Sequence, residues 1–185
     1  EQVAELEAND ALSPESFQQW IPIGTTSENK MFKGTFDGAG HTISGLYFNQ
    51  DVSDAGLFGR STSGGSIKNV GVVDSYIKGK DYVGGIVGYN GNCTVSNVFS
   101  TSTVQGNEYV GGIAGYNDAG TIENAYNMGA VSGAFRVGGI AGENHGTTAH
   151  INNVYSSGTV SGPEGRYVRG LVGYNNESKR NINYA

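Results

Sequence analysis

The sequence predicts an all-β fold: a right-handed, single-stranded parallel β-helix (a β-solenoid) with about 27 residues in each three-strand coil. Three observations lead to this prediction. Glycine is abundant while proline is scarce, one motif returns in tandem along the chain, and each repeat holds three short β-prone stretches separated by Gly, Asn or Ser.

The composition excludes a collagen helix and a disordered chain, two states in which glycine is often abundant. Glycine accounts for 31 of the 185 residues and proline for only 3. Collagen needs glycine at every third position together with abundant proline. Disorder requires fewer apolar residues than the 37% found here, which also recur in a fixed order. A fold that turns very often is the explanation that remains.

The repeat is seen by comparing the sequence with itself. The octapeptide Val-Gly-Gly-Ile-Val-Gly-Tyr-Asn begins at Val83 and returns, with substitutions, at Val110, Val137 and Val168, at spacings of 27, 27 and 31 residues. A degraded copy begins at Ala55. A second element follows at 67–70, 95–98, 122–125 and 151–154, and a third closes the unit at 103–106, 130–133 and 159–162.

Each element is too short and too rich in glycine for a helix, which loses roughly 1 kcal/mol per interior glycine relative to alanine. A propeller blade needs about 40 residues or more. Three strands in a unit of this length instead form one triangular coil. Successive coils then stack at the ordinary strand spacing of about 4.8 Å, and each strand pairs with its copy in the next coil.

Stacking places equivalent side chains in rows. We expect an inward aliphatic ladder of Ile67, Val95, Ile122, Ile151 and Ile182. An asparagine ladder is expected at a corner, where Asn tolerates left-handed backbone geometry, from Asn69, Asn97, Asn124 and Asn153. A second row at another corner consists of Asn90, Asn117, Asn144 and Asn175. The repeated glycines are expected to supply positive φ angles and close backbone approach.

The chain divides into an N-terminal cap and first coil at 1–40 and stacked coils at 41–185, which stop within a repeat. Both ends are therefore expected to be boundaries within a larger chain. Residues 1–19 are open to two interpretations, a short capping helix or an incoming strand with a bend. Pro14 disfavours a continuous helix through Trp20 and so favours the strand.

Two stretches resemble a known family. Residues 20–25 (Trp-Ile-Pro-Ile-Gly-Thr) and 32–46 (Phe-Lys-Gly-Thr-Phe-Asp-Gly-Ala-Gly-His-Thr-Ile-Ser-Gly-Leu) look like the coil that precedes GLUG-motif repeats, and the octapeptides with their following Ile-x-Asn elements resemble the GLUG motif itself. This family is found in large secreted or wall-attached bacterial proteins, including adhesin-like proteins and immunoglobulin A-cleaving metallopeptidases. The resemblance implies a parallel β-helix and a location at the cell surface.

Catalytic, metal and cofactor motifs are missing from the sequence. No His-Glu-x-x-His, Walker A or dinucleotide-binding motif occurs, and no acidic cluster stands out. His145 and His150 lie near Glu143, but in a stretch with two extra residues that favours a loop over a metal site. Cys93 is the single cysteine. The sequence therefore predicts no catalytic residue, no metal and no cofactor.

Aromatic residues form the candidate binding rows. One row is Phe99, Tyr126 and Tyr155, and a second is Tyr82, Tyr109, Arg136 and Tyr167. A third row holds Tyr89, Tyr116, Glu143 and Tyr174. Stacked rings stabilise a solenoid, and the same rings suit a sugar or a protein partner.

The leading functional hypothesis is a non-catalytic module of a secreted or cell-surface bacterial protein that acts as an adhesin or rigid spacer. The alternatives are a glycan-binding module that uses stacked tyrosines and a fragment of a carbohydrate-active β-helix enzyme. A host or cell-wall glycan or a surface protein is the expected partner. The net charge of −6 disfavours nucleic acid, and no apolar run of 18 residues predicts membrane insertion.

Overall fold

Short strands make up the fold, and each pairs with its neighbours in parallel. The computed structural model describes residues 18–26, 30–176 and 182–183. In chain order the strands within these ranges are β1 (Thr35–Ser44), β2 (Tyr47–Asn49), β3 (Phe58–Ser61), β4 (Ser66–Val73), β5 (Tyr76–Lys78), β6 (Asp81–Gly84), β7 (Val87–Gly91), β8 (Thr94–Ser100), β9 (Thr103–Gln105), β10 (Glu108–Gly111), β11 (Ala114–Asp118), β12 (Thr121–Asn127), β13 (Val131–Ser132), β14 (Phe135–Gly138), β15 (Ala141–His145), β16 (His150–Ser156), β17 (Val160–Ser161), β18 (Val168–Arg169), β19 (Val172–Asn176) and β20 (Ile182–Asn183).

The strands form four sheets that run along the solenoid axis. Sheet A has the order β1-β4-β8-β12-β16-β20, and sheet B the order β2-β5-β9-β13-β17. Sheet C has the order β6-β10-β14-β18, and sheet D the order β3-β7-β11-β15-β19. The chain visits the sheets in the sequence A, B, C, D and then returns to A. These are about five turns of about 28 residues, so the predicted parallel β-helix is confirmed.

The coils from β4 onward have four strands each, where the sequence predicted three. The predicted single strand over the Val-Gly-Gly octapeptide is divided, because β10 ends at Gly111 and β11 begins at Ala114. A Cβ on Gly112 would lie 2.3 Å from the carbonyl oxygen of Gly139 in the next coil. The chain bends at this glycine and places Ile113 in the interior, where its exposure is 0%. This bend separates sheet C from sheet D.

The interior is filled by aliphatic rows, as the sequence predicts. Ile67 pairs with Val95, Val95 with Ile122, and Ile122 with Ile151. These four side chains are fully buried. A second buried cluster lies between sheets B and C, with Val104, Val110 and Val137 among its members. Because each coil repeats the same inward residues, the register between coils is fixed along the whole stack.

The repeated glycines allow close packing between backbone segments. The prediction that they have positive φ angles is wrong. The glycines with positive φ among the described residues are Gly24, Gly40, Gly45, Gly64, Gly146 and Gly165, none of which belongs to the octapeptides. At Gly111 a Cβ would instead lie 2.0 Å from the carbonyl oxygen of Ala114 and 2.7 Å from that of Ile140. Gly111 is therefore needed because backbone atoms of its own coil and of the next coil approach too closely for a side chain.

Residues 1–17 lie outside the described part of the chain. Neither the capping helix nor the incoming strand predicted for residues 1–19 is therefore tested. The predicted division at residue 40 likewise stays a prediction. Within the described residues, no helix is long and apolar enough to cross a membrane.

Candidate functional site

The three aromatic rows lie on two different surfaces. The rows that begin with Tyr82 and Tyr89 lie on sheets C and D, and the structure brings them together. The row of Phe99, Tyr126 and Tyr155 lies alone on sheet A. The two surfaces differ in how their rings contact one another.

On sheets C and D, four tyrosines form an interlocked cluster, which we call the tyrosine cluster: Tyr82, Tyr89, Tyr109 and Tyr116. Tyr82 stacks on Tyr109 with ring centroids 4.8 Å apart, and Tyr89 stacks on Tyr116 at 5.2 Å. Edge-to-face contacts join the two stacks, with Tyr82 5.6 Å from Tyr89 and Tyr109 5.2 Å from Tyr116. The rings contact one another's faces and edges, and such contacts stabilise the stack of coils.

An ion pair bounds the tyrosine cluster at each end. In the preceding coil, Nη2 of Arg60 lies 3.0 Å from Oδ1 of Asp54, and the Arg60 guanidinium lies 4.1 Å from the centre of the Tyr89 ring. In the following coil, Nη1 of Arg136 lies 3.1 Å from Oε2 of Glu143, and the Arg136 guanidinium lies 4.8 Å from the centre of the Tyr109 ring. Each arginine therefore covers an end of the cluster through a cation–π contact.

Both acids of these ion pairs are buried. The side chains of Asp54 and Glu143 are each 4% exposed. Burial raises the pKa of the Glu143 carboxyl, although the neighbouring Arg136 and His145 oppose the shift. Burial likewise raises the pKa of Asp54 against the attraction of Arg60. Each carboxyl is therefore held against its arginine.

Tyr89 is further tied to the next coil through Asp118. Its hydroxyl donates a hydrogen bond of 2.5 Å to Oδ2 of Asp118. Burial, together with this carboxylate, raises the pKa of the Tyr89 phenol. Burial also raises the pKa of Tyr116, with Glu143 as a second cause. Both phenols therefore stay protonated and act as neutral hydrogen-bonding groups.

The sheet A row forms a separate aromatic stack, defined here as Phe99, Tyr126 and Tyr155. Phe99 and Tyr126 have centroids 4.9 Å apart and planes 7° apart, and Tyr126 and Tyr155 have values of 5.1 Å and 5°. Tyr155 is 53% exposed, whereas Phe99 and Tyr126 are half-buried, as are the four rings of the tyrosine cluster. Tyr155 is therefore the most accessible ring of this stack.

The predicted asparagine ladder runs beside the aromatic stack, two residues earlier in each strand. Nδ2 of Asn97 donates to Oδ1 of Asn69 at 3.0 Å, Asn124 donates to Asn97 at 3.1 Å, and Asn153 donates to Asn124 at 2.6 Å. All four have positive φ, between 49° and 55°, as the sequence predicts. Asp37 begins the row by accepting hydrogen bonds from Asn69 and from the backbone of Ala39. The ladder faces solvent.

The other asparagine row is internal. Asn90 donates to Oδ1 of Asn117 at 2.7 Å, and Asn117 donates to Asn144 at 2.7 Å. These three side chains are fully buried. Their second donors bond carbonyl oxygens within the same coil, such as that of Gly120 for Asn117. This row fixes the corner between sheets D and A.

An open notch lies at the start of the aromatic stack. Gly71 pairs with Phe99 in register, so the row has no ring at that position. A Cβ on Gly71 would lie 2.3 Å from Cζ of Phe99, which means that the ring leans over this glycine. The notch has a volume of about 340 Å³ and is lined by Gly40, Asn69, Val70, Gly71, Asn97 and Phe99.

The histidines weighed as metal ligands are separated. Nδ1 of His145 lies 3.4 Å from Oε1 of Glu143, whereas Nδ1 of His150 contacts the carbonyl oxygen of Thr148. Within the ranges that the structure describes, no group of three or more His, Cys, Asp and Glu side chains is placed to hold a metal ion. Cys93 is buried and forms no disulfide, and burial raises the pKa of its thiol.

Sequence reasoning missed two features of the sheet C and D surface. Tyr82, Tyr109, Arg136 and Tyr167 all have positive φ, between 53° and 58°. Asp54 and Arg60, which occupy the corresponding positions of the degraded first coil, were not recognised. The alignment of Ala55 with Val83 contained this signal, because it places Asp54 in the row of Tyr82.

Three consecutive repeats match the profile of a known family. The family profile described as the GLUG motif matches residues 81–105, 106–132 and 133–161. Residues 81–161 are therefore similar to GLUG repeats. Each matched unit begins with a strand of sheet C and ends with a strand of sheet B, so the GLUG motif corresponds to one four-strand coil.

Two further comparisons found similar proteins. The chain is 38% identical over 80 residues, or 43% of its length, to halomucin from Haloquadratum walsbyi, and it spans about 1% of the length of that protein. A solved structure from Bacteroides ovatus, described as a candidate immunoglobulin A1 protease, is 19% identical. It aligns with a TM-score of 0.47 over 89% of this chain and 68% of the other.

Proposed function

We propose that this GLUG-repeat chain is a non-catalytic module of a secreted or cell-surface protein and acts there as a rigid spacer. One observation carries the proposal: side-chain rows continue without a break from coil to coil. The buried asparagine row links four successive coils by hydrogen bonds from Asn90 to Asn175. A stack joined in this way resists bending between coils, because each coil is fixed to both neighbours.

The acidic groups support a non-catalytic role. Hydrolysis of glycosides needs two carboxyl groups that flank a substrate. Asp54 and Glu143 are buried and paired with arginines, and Glu108 contacts the same Arg136 at 3.9 Å. A location outside the cell is supported by the GLUG repeats, which we expect in secreted or wall-attached proteins. Adhesion is a second candidate function, and the exposed aromatic stack favours it.

Two measurements test this proposal. The purified protein is incubated with soluble polysaccharides and with immunoglobulin A, and the products are separated by chromatography. We expect no product, and any released fragment that depends on folded protein contradicts the non-catalytic role. Antibodies against the chain are also applied to intact and to permeabilised source cells. We expect labelling of intact cells, and labelling that requires permeabilisation contradicts the proposed location.

A further inference from the structure

The outer face of sheet A carries two ladders side by side. One is the aromatic stack of Phe99, Tyr126 and Tyr155, and the other is the exposed asparagine ladder. In each strand a single inward residue separates the asparagine from the aromatic ring, such as Ala125 between Asn124 and Tyr126. We call this pair of ladders the sheet A strip. It runs parallel to the solenoid axis, with one asparagine and one ring on each coil.

The asparagines of the strip keep hydrogen-bonding capacity for a ligand. A side-chain amide has two N–H donors and two acceptor lone pairs. Within the ladder Asn97 donates once, to Asn69, and accepts once, from Asn124. Asn124 likewise donates once and accepts once. One donor and one acceptor on each coil are thus left to face solvent, at intervals of about 4.8 Å.

The charge of the strip favours a neutral ligand. Nζ of Lys68, the residue before Asn69, lies 3.4 Å from Oδ2 of Asp37, so this cation beside the asparagine ladder is already paired with an acid. The following positions of the same outer row are Ser96, Glu123 and Asn152, none of which is a cation. These four described positions therefore offer no unpaired positive charge to a carboxylate or a sulfate group. An anionic polymer is disfavoured.

We propose that the sheet A strip binds a neutral, linear polysaccharide laid along the solenoid axis. Rings and amides that repeat at a constant interval match a polymer whose own units repeat. Sugar hydroxyls suit the free amide groups, while the apolar face of a pyranose ring suits an aromatic side chain. The notch beside Phe99, with a volume of about 340 Å³, adds open space at the start of the strip. This inference rests on the proposed location outside the cell, where such polymers occur.

Binding is tested by calorimetric titration of the full chain with soluble β-glucan, cellohexaose, galactomannan and amylose fragments, with alginate as the anionic comparison. The test variant is Tyr126→Ala combined with Tyr155→Ala. The matched control is Tyr167→Ala, which removes a tyrosine that is 38% exposed on the other aromatic surface. Circular dichroism and unfolding midpoints establish that each variant is folded.

We expect at least one neutral polymer to bind, with affinity at least roughly tenfold weaker in the double variant and unchanged in the control. In the unaltered chain, the same polymer should shift the ring NMR signals of Tyr126 and Tyr155 but not those of Tyr167. Binding of alginate alone, no binding at all, or equal affinity in all three proteins overturns the inference. Absence of binding leaves the spacer role intact, whereas released sugar products contradict the non-catalytic role independently of affinity.

Discussion

Nη1 of Arg136 lies 3.1 Å from Oε2 of Glu143, at two positions that hold tyrosines in the two preceding coils. The side chain of Glu143 is 4% exposed and that of Arg136 is 23% exposed. This coil thus has an ion pair in place of a ring pair, as the first coil does with Asp54 and Arg60. Since a buried ion pair is weak evidence for stability, this exchange has consequences that mutation can measure.

The first prediction concerns replacement of this ion pair by the tyrosines of the neighbouring coils. Arg136→Tyr alone leaves the carboxylate of Glu143 buried without its main partner and should cost on the order of 3 kcal/mol. Arg136→Tyr with Glu143→Tyr should lie within about 1 kcal/mol of the unaltered chain or be more stable, because two rings extend the stack. Chemical unfolding of both single variants and the double variant gives the coupling energy. Additive losses in the double variant contradict the prediction.

A second prediction concerns pH. Because burial raises the pKa of Glu143 above its ordinary value of 4.5, the folded chain holds this proton more tightly than the unfolded chain. The unfolding free energy should therefore fall as the pH rises above 4.5 toward neutrality. Glu143→Gln removes this contribution, so the unaltered chain should lose stability relative to the variant over that range. A difference that stays constant, or that changes in favour of the unaltered chain as the pH rises, contradicts the raised pKa.

The two asparagine rows should differ in energetic importance. Asn117 is fully buried. The substitution Asn117→Ala leaves the side-chain N–H donor of Asn90 and the carbonyl oxygen of Gly120 without their hydrogen-bond partner. We expect a cost of about 2–4 kcal/mol. Asn124→Ala is the matched control at the exposed ladder, where water replaces the lost bonds and the cost should be about 1–2 kcal/mol, including the left-handed backbone. Equal unfolding midpoints for the two variants would show that burial does not distinguish the rows.

Glycine is required in the octapeptide where a neighbouring coil packs against it. At Gly112 a Cβ would lie 2.3 Å from the carbonyl oxygen of Gly139, so Gly112→Ala should cost about 2 kcal/mol or more. Gly170 occupies the same place in the octapeptide at Val168, and a Cβ there would meet no atom of the described residues within 4 Å. Gly170→Ala should change stability by less than about 0.5 kcal/mol. Thermal unfolding compares them, and a cost at Gly170 as large as that at Gly112 would contradict the packing explanation.

The ladders were predictable from the sequence because repetition fixes the register. Once Val83 aligns with Val110, stacking follows for Ile122 above Val95 and for Asn117 above Asn90. Spacing also placed the asparagines of sheet A in left-handed geometry, because asparagine tolerates it. The repeat therefore predicted the contacts that run along the solenoid axis.

Contacts across the coil were not predictable in the same way. The meeting of Tyr82 with Tyr89 depends on the bend at Gly85–Ile86, which divides one predicted strand into two. Tyr82 also adopts a positive φ that its residue type does not indicate. Whether a row is buried or exposed depends on these bends, and sequence spacing alone therefore gave equal weight to both aromatic surfaces.

A rigid stack of coils is the basis of the proposed spacer, and a distance between two spin labels tests this rigidity most directly. Labels are attached to Thr35→Cys and His150→Cys in a Cys93→Ala background, since both positions belong to one row of sheet A. Thr35 pairs with Ser66, Ser66 with Thr94, Thr94 with Thr121, and Thr121 with His150. Four strand spacings separate the two backbones by about 19 Å. We expect a single narrow distance distribution near this value, widened only by the label linkers, and a broad or multimodal distribution in native buffer would contradict a rigid stack.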